Sequence, residues 1–183
     1  MKIQSEQLIG ELIKLTAGHI EFAESLQDKT DEELNRRNSN DSWSVLECLE
    51  HLNLYGNFYL PEIEKRIKQS TSKFEEVFKS GYFGNYFAQS MLPKEKLNKM
   101  KTFKKMNPIH SRLDKRVIEM FINQQLKTIE LLEKSQAISL NKVKTGISIT
   151  SLIKFKLGDT FRFMIYHNKR HIVQAKNVIR LTN

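Results

Sequence analysis

The sequence predicts an all-α protein in which four long amphipathic helices pack as a four-helix bundle. Glycine and proline, which are unfavourable inside helices, are scarce, with seven and three residues among 183. Four segments carry apolar residues at intervals of three and four, the spacing that places them on one side of a helix. The length is that of a single domain, residues 1–183, with enough chain to bury a core.

The first predicted helix covers about residues 5–26, because its apolar positions follow the spacing of a bundle-facing stripe. A short turn of helix is predicted at residues 31–36, where Thr30 and Glu33 have the spacing of a capping box. The apolar face of the first helix carries Leu8, Leu12, Leu15, His19, Phe22 and Leu26.

The second predicted helix begins sharply after Ser44, which forms another capping-box pattern with Glu47. Trp43 precedes this pattern in the position of a hydrophobic staple. Pro61 is expected to kink the helix, because proline lacks a backbone donor. The apolar face of this helix carries Val45, Leu49, Leu52, Tyr59, Ile63 and Ile67.

An aromatic, lysine-rich insertion is predicted between the second and third helices, at about residues 70–110. Aromatic side chains are frequent from Phe74 to Phe87, and residues 94–105 are strongly basic. A segment of this length inside a compact domain is usually functional or partly helical. We therefore expect it to cover the bundle rather than to form a separate domain.

The third predicted helix spans residues 111–134, and residues 143–149 alternate weakly, as in an extended connector. The fourth predicted helix follows Asp159, a suitable N-cap residue, and continues to about Arg180.

The net charge of +9 admits nucleic acid, an anionic membrane surface or an acidic substrate as a partner. Much of the excess lies in residues 94–105 rather than along one helix face, which is typical of a solvated loop, so nucleic acid is disfavoured. No apolar run is long enough to span a bilayer and no signal peptide is evident, so we expect a cytoplasmic protein without a membrane partner. Cys48 is the single cysteine, which excludes an intrachain disulfide.

His167 and His171 are separated by four residues in the fourth predicted helix, so their imidazoles lie on the same face. Phe163, Gln174 and Val178 share that face, which indicates that it points inward. Two inward-facing histidines require partners, because unpaired buried polar groups are costly. They either form hydrogen bonds with neighbours or bind a metal.

His51, in the second predicted helix, is the candidate third ligand. Three imidazole nitrogens suit a divalent transition metal such as zinc or nickel, and they leave a coordination position open for water or substrate. The alternative is that each histidine is an ordinary interior or surface residue with hydrogen-bond partners, and the spacing alone leaves both interpretations open.

Five further side chains are candidates for a role at this site, and four of them have an alternative structural explanation. His19 is either a fourth ligand or a core histidine, and His110 is expected to be exposed. Cys48 either approaches the metal or acts as a small buried hydrophobe. Glu47 and Gln174 either orient an imidazole or serve as a helix cap and a bundle-end residue.

Other catalytic patterns are missing from the sequence. It contains neither a glycine-rich phosphate loop nor a nucleophile elbow. The paired Glu-x-x-His motifs of a di-iron bundle are also absent. No catalytic residue is therefore assigned beyond the three candidate ligands.

Two segments resemble motifs of the DinB/YfiT-like superfamily. Residues 43–52 resemble its Trp-Ser-x-x-Glu-x-x-x-His-Leu segment, and residues 167–174 resemble its closing His-x-x-Arg-His-x-x-Gln segment. The order and separation of the two motifs agree over nearly the whole chain.

This resemblance implies an up-up-down-down four-helix bundle that holds a metal through His51, His167 and His171. It also implies a metal-dependent hydrolase, or a thiol S-transferase that uses a low-molecular-weight thiol such as bacillithiol or mycothiol, and a homodimer. The sequence departs from the family at Asn168, where an acidic residue is usual, and in the length of the insertion. The alternative function is a non-catalytic bundle that binds an anionic small molecule or partner through its basic segment.

Overall fold

The computed structural model describes residues 1–93, 102–148 and 150–182, which form six α-helices and four short strands. Two short 3-10 turns, at Lys104–Met106 and Ser135–Ala137, complete the regular structure of these residues. In chain order the elements are β1 (Lys2–Gln4), α1 (Ser5–Glu24), α2 (Asp31–Asn35), α3 (Val45–Lys68), β2 (Val77–Lys79), α4 (Tyr82–Met91), α5 (Arg116–Lys134), β3 (Lys144–Ile147), β4 (Thr150–Lys156) and α6 (Leu157–Thr182).

The four long helices α1, α3, α5 and α6 pack against one another, with α1 and α3 each contacting both α5 and α6. Their inward faces form two apolar clusters, one that includes Leu12 and Tyr59 and one that includes Leu49 and Phe121. The predominantly helical character agrees with the prediction. No helix in the described ranges has both the length and the apolar content required to cross a membrane.

Two small antiparallel sheets differ from the expected all-α fold. β1 pairs with β2, and β3 pairs with β4. The predicted connector at residues 143–149 is therefore largely the first strand of a hairpin, and β4 was not predicted at all. Its outward side carries Leu152 together with Lys154 and Lys156, so the apolar–polar alternation that indicates a strand is limited to residues 153–156.

Two helices begin at residues other than those predicted. α5 begins at Arg116 rather than at residue 111, and the Asp114 carboxylate accepts a hydrogen bond from the Arg116 backbone N–H at 3.0 Å. α6 begins at Leu157, so Asp159 lies inside the first turn and is not the N-cap.

The buried Asp159 carboxylate instead connects α6 to the insertion. It accepts hydrogen bonds from the Ser80 hydroxyl and, at 2.7 Å, from the Gly81 backbone N–H. It also pairs with Arg162 at 3.1 Å, and both side chains of this ion pair are 0% exposed. The Arg162 guanidinium donates further to Asn85 at 3.1 Å, so two buried charges fix the start of α4 against α6.

The predicted insertion is thus partly regular, because it contains β2, α4 and the turn at Lys104–Met106. α4 packs on α6 so closely that a Cβ atom at Gly84 would lie 2.5 Å from a carboxylate oxygen of Asp159. Glycine is therefore required at this approach. Most of the basic stretch at residues 94–105 lies outside the described residues.

The predicted capping box at the start of α3 is confirmed. The Ser44 hydroxyl accepts a hydrogen bond from the Glu47 N–H at 3.2 Å, and the Glu47 carboxylate accepts one from the Ser44 N–H at 2.8 Å. Glu47 is buried and also forms an ion pair with Arg37 at 2.6 Å. The helix then continues through Pro61.

Replacing Ser44 with alanine is expected to destabilise the protein by about 1–2 kcal/mol, because the buried Glu47 N–H loses its acceptor. Chemical denaturation measures this change. Thr30→Ala is the matched control, since it removes the same motif from the exposed five-residue helix α2 and should cost about 0.5 kcal/mol. Equal losses in the two variants would contradict the expectation.

Candidate metal centre

The structure brings His51, His167 and His171 together as the sequence predicts. α3 supplies His51, and α6 supplies the other two from successive turns of one face. The Nε2 atom of His167 lies 3.2 Å from that of His51 and 3.0 Å from that of His171. All three side chains are buried, and the residues that the structure describes contain no other such group of potential metal ligands.

The spacing of the three nitrogens suits a single ion. Zinc binds imidazole nitrogen at about 2.0–2.1 Å, so ligands at tetrahedral or octahedral angles lie about 2.9–3.4 Å apart. Both measured separations fall in this interval. One ion can therefore contact His167 and each neighbour without rearrangement of the two helices.

Two hydrogen bonds determine which ring nitrogens are protonated. His51 Nδ1 lies 2.5 Å from the Met106 carbonyl oxygen, and His171 Nδ1 lies 2.9 Å from the Gln174 amide oxygen. The Met106 carbonyl can only accept, so His51 Nδ1 carries the proton and His51 Nε2 presents a lone pair. With the Gln174 amide oxygen turned toward Nδ1, His171 has the same tautomer. Metal-binding histidines are typically oriented in this way, by a hydrogen bond from the ring nitrogen that does not bind the metal.

The protein alone has too few hydrogen-bond donors for these lone pairs. Two lone pairs, from His51 and His171, point toward Nε2 of His167, and a neutral His167 can donate a proton to only one of them. A cation at this point would be attracted by all three nitrogens. The donor set therefore fits a bound metal better than it fits a network of ordinary hydrogen bonds.

Burial keeps these rings in the form that binds metal. It lowers the pKa of His51 to about 4. Burial, together with the charges of neighbouring rings, lowers the pKa values of His167 and His171 well below 6.5. At neutral pH the three imidazoles are consequently uncharged.

Aromatic rings surround the cluster. The Trp43 ring lies 4.6 Å from His51 and 5.5 Å from His171, between ring centroids. Tyr55 lies 4.9 Å from His51 and 4.7 Å from His167. Phe163 stacks on His167 at 5.9 Å. These apolar walls limit the approach of water and restrict rotation of the imidazoles.

Sequence reasoning missed three of these contributors. The sequence predicts a hydrophobic staple at Trp43, whereas the structure packs its ring on two histidines, and its N–H donates to Asn107 at 3.2 Å. Tyr55 follows His51 by one helical turn, a spacing that would have identified it. The Met106 carbonyl belongs to the backbone, so no side-chain pattern indicates its role.

The remaining candidates lie outside the cluster. Glu47 serves as a cap and ion-pair partner, and Cys48 is a buried hydrophobe whose thiol pKa is raised by burial. His110 is exposed, as predicted. Gln174 orients His171, which agrees with the first of its two interpretations.

Asn168 and His19 form a separate polar layer. The Asn168 amide donates to the Gln125 side chain of α5 at 2.9 Å, so it links two helices. His19 of α1 is buried without a hydrogen bond of normal geometry at either nitrogen. Burial is the main cause that lowers the pKa of His19 to about 4, and it outweighs the opposing effect of Gln125.

The low pKa of His19 predicts acid sensitivity. The unfolded chain binds a proton at this residue near pH 6.5, whereas the folded protein does so only near pH 4. Stability is therefore lost as the pH falls through this window, by about 3 kcal/mol from this residue. In chelator-treated protein, His19→Gln should lose about 3 kcal/mol less than wild type between pH 7 and pH 4. If wild type and His19→Gln had identical pH profiles of unfolding free energy, the low pKa of His19 would be contradicted.

The chain matches the family model of the DinB superfamily over residues 14–175, which include all three histidines of the cluster. Neither the search of curated proteins nor the search of solved structures found a match.

Proposed function

This chain belongs to the DinB superfamily, and from that premise we propose that it is a metal-dependent enzyme. Its metal would be a divalent transition ion, such as zinc or nickel, held by His51, His167 and His171. We further propose that α1, α3, α5 and α6 form the up-up-down-down bundle of this superfamily, with the site between α3 and α6.

The convergence of three Nε2 atoms, two of them with an assigned lone pair, carries this proposal. A structural metal site normally has four protein ligands. Three protein nitrogens instead leave a position that a water molecule, a thiol or a substrate atom can occupy. This donor set is typical of catalytic metal sites.

The bound ion would supply the Lewis acidity that lowers the pKa of a water molecule or a thiol and makes it a nucleophile at neutral pH. The chain's own residues determine where the water molecule or thiol would be activated. The Met106 carbonyl and Gln174 hold the Nδ1 protons of two ligands, so their Nε2 atoms stay aimed at the ion. Trp43 and Tyr55 exclude bulk water, which strengthens the electrostatic interactions inside the site.

Hydrolysis and thiol transfer require the same site and differ in the nucleophile that occupies the open position. We propose a hydrolase or a thiol S-transferase that acts on a small molecule, with a low-molecular-weight thiol as the co-substrate in the second case. The homodimer remains a prediction of the family resemblance, and the cytoplasmic location remains a prediction from the sequence pattern.

The test begins with metal binding. Chelator-stripped wild type, His51→Ala and His110→Ala are titrated with Zn²⁺ and Ni²⁺ by calorimetry. Wild type and His110→Ala are expected to bind one ion per chain, and His51→Ala is expected to bind neither metal tightly. Metal binding that persists in His51→Ala would overturn the proposed ligand set.

Activity is tested next, with metal-loaded wild type. The protein is incubated with a panel of small esters and amides, and separately with an electrophile and bacillithiol or cysteine. Metal-dependent turnover in one panel identifies the nucleophile. Tight metal binding without turnover in either panel would favour the alternative, a non-catalytic bundle in which the ion is structural.

A further inference from the structure

The outward face of α4 is unusually aromatic. Tyr82, Phe83 and Tyr86 are 86%, 58% and 66% exposed. At 100° per residue these three side chains fall within about 100° of one another on the helix. The opposite face packs on α6, and α4 contains no charged residue. Its surface can therefore contact an apolar or interfacial environment without burying a charge.

The two sheets next to α4 carry five lysines, since β2 ends just before this helix and β4 contacts it. Lys2 lies directly opposite Lys79 in the β1–β2 pair, and Lys144 lies directly opposite Lys156 in the β3–β4 pair. The Lys156 ammonium donates to the Lys79 carbonyl oxygen at 2.5 Å, so the two sheets meet just before α4 begins. Lys154 shares the outward face of β4 with Lys156.

Among the residues described, these lysines have no acidic partner at ion-pair distance. None of the five lysines forms an ion pair within the part of the chain that the structure describes. Like charges directly opposite each other in an antiparallel sheet are destabilising. The pattern occurs in both sheets, which favours an anionic partner that relieves the repulsion. We name Tyr82, Phe83, Tyr86, Lys2, Lys79, Lys144, Lys154 and Lys156 the basic aromatic surface.

We propose that the basic aromatic surface docks on an anionic phospholipid bilayer. Lysine ammonium groups would lie near the lipid phosphates, and the aromatic rings would lie at the level of the headgroups, where Tyr and Phe are favourable. This inference goes beyond the proposed enzymatic function and does not depend on the metal. It concerns peripheral binding, whereas the sequence-based expectation of no membrane partner considered spanning segments.

Two observations favour a bilayer over other partners. Leu152, on the same face of β4 as Lys154, is 91% exposed, and an aliphatic side chain can enter a bilayer but offers no ring on which a nucleobase stacks. A second copy of the chain would place five lysines against five, which is electrostatically unfavourable.

The test uses the full chain and vesicles of defined composition in a sedimentation assay at 0.1 M NaCl. Vesicles of phosphatidylcholine with 30% phosphatidylserine are expected to bind the protein at least 10-fold more tightly than vesicles of phosphatidylcholine alone. The difference should disappear at 0.5 M NaCl, because salt screens the lysines. Absence of binding to the phosphatidylserine vesicles at 0.1 M NaCl would overturn the proposal.

Two matched variants test the surface itself. Lys144→Glu/Lys154→Glu should weaken vesicle binding at least 10-fold, whereas Lys14→Glu/Lys65→Glu, with the same net charge but on α1 and α3, should weaken it at most 3-fold. Equal weakening by the two double variants would overturn the proposal, since it would reveal a diffuse charge effect.

The aromatic contribution and the competing partners are tested together. Tyr82→Ser/Phe83→Ser/Tyr86→Ser keeps every charge and should weaken vesicle binding at least 10-fold, with circular dichroism and Tm verifying the fold. Unchanged vesicle binding in this variant would overturn the proposal. So would tighter binding to a single-stranded oligonucleotide than to vesicles, or a dimer in wild type that the triple substitution dissociates.

Discussion

His167→Ala is expected to weaken zinc binding by about 1,000-fold or more and to abolish the rise in Tm that zinc produces in wild type. His167 is the central member of the cluster, since its Nε2 atom is the one within 3.2 Å of both other Nε2 atoms. Without it, one ligand from each helix remains, and α6 no longer binds the ion through two histidines on successive turns. Competition with a chromophoric chelator measures the affinity.

A graded control accompanies this substitution. Gln174→Leu removes the acceptor that orients His171 but keeps all three ligands, so the affinity should fall by about 10–100-fold with one ion still bound per chain. His110→Ala should leave the affinity unchanged. The proposed centre would be wrong if His167→Ala retained wild-type affinity, or if Gln174→Leu had the larger effect.

The largest expected loss of stability follows from Asp159→Ala. Both charges of the Asp159–Arg162 pair are fully buried, and removal of one leaves the other without compensation, which costs about 3–5 kcal/mol. The Gly81 N–H also loses its acceptor. In a chain of this length, the melting temperature should fall by about 10 °C. Denaturant unfolding and calorimetry measure the two quantities.

An exposed ion pair supplies the control for this second substitution. Asp114 contacts Arg116 at 2.7 Å, but the two side chains are 42% and 85% exposed. Asp114→Ala should therefore cost less than about 1 kcal/mol. The double variant Asp159→Leu/Arg162→Met should recover part of the loss, because it removes both buried charges. Similar losses for Asp159→Ala and Asp114→Ala would show that burial of the pair is energetically unimportant.

The features that were predicted well are those encoded over one or two helical turns. The capping boxes at Thr30 and Ser44 require only residues three apart. The shared face of His167 and His171 requires only the helical period. The meeting of His51 with this pair depends on the packing of α3 against α6, and the sequence indicated it through two motifs that resemble those of one superfamily.

The features that were missed depend on contacts between distant segments. Asp159 is a residue type common at N-caps and lies near the start of a helix. Its carboxylate, however, accepts hydrogen bonds from Ser80 and Gly81, nearly eighty residues away. In the strand β4 the apolar–polar alternation is limited to residues 153–156, because its outward face carries Leu152 as well as lysines. Local propensity cannot reveal either arrangement, since tertiary contacts decide both.

The junction between α4 and α6 has an evolutionary consequence. Ser80, Gly84 and Asn85 belong to the insertion, whereas Asp159 and Arg162 belong to the helix that carries two of the candidate metal ligands. Deletion of the insertion would remove the groups that cover these two side chains and would leave them as an ordinary exposed ion pair. In homologues without the insertion the two positions should therefore vary freely, whereas in homologues that keep it these five positions should change together.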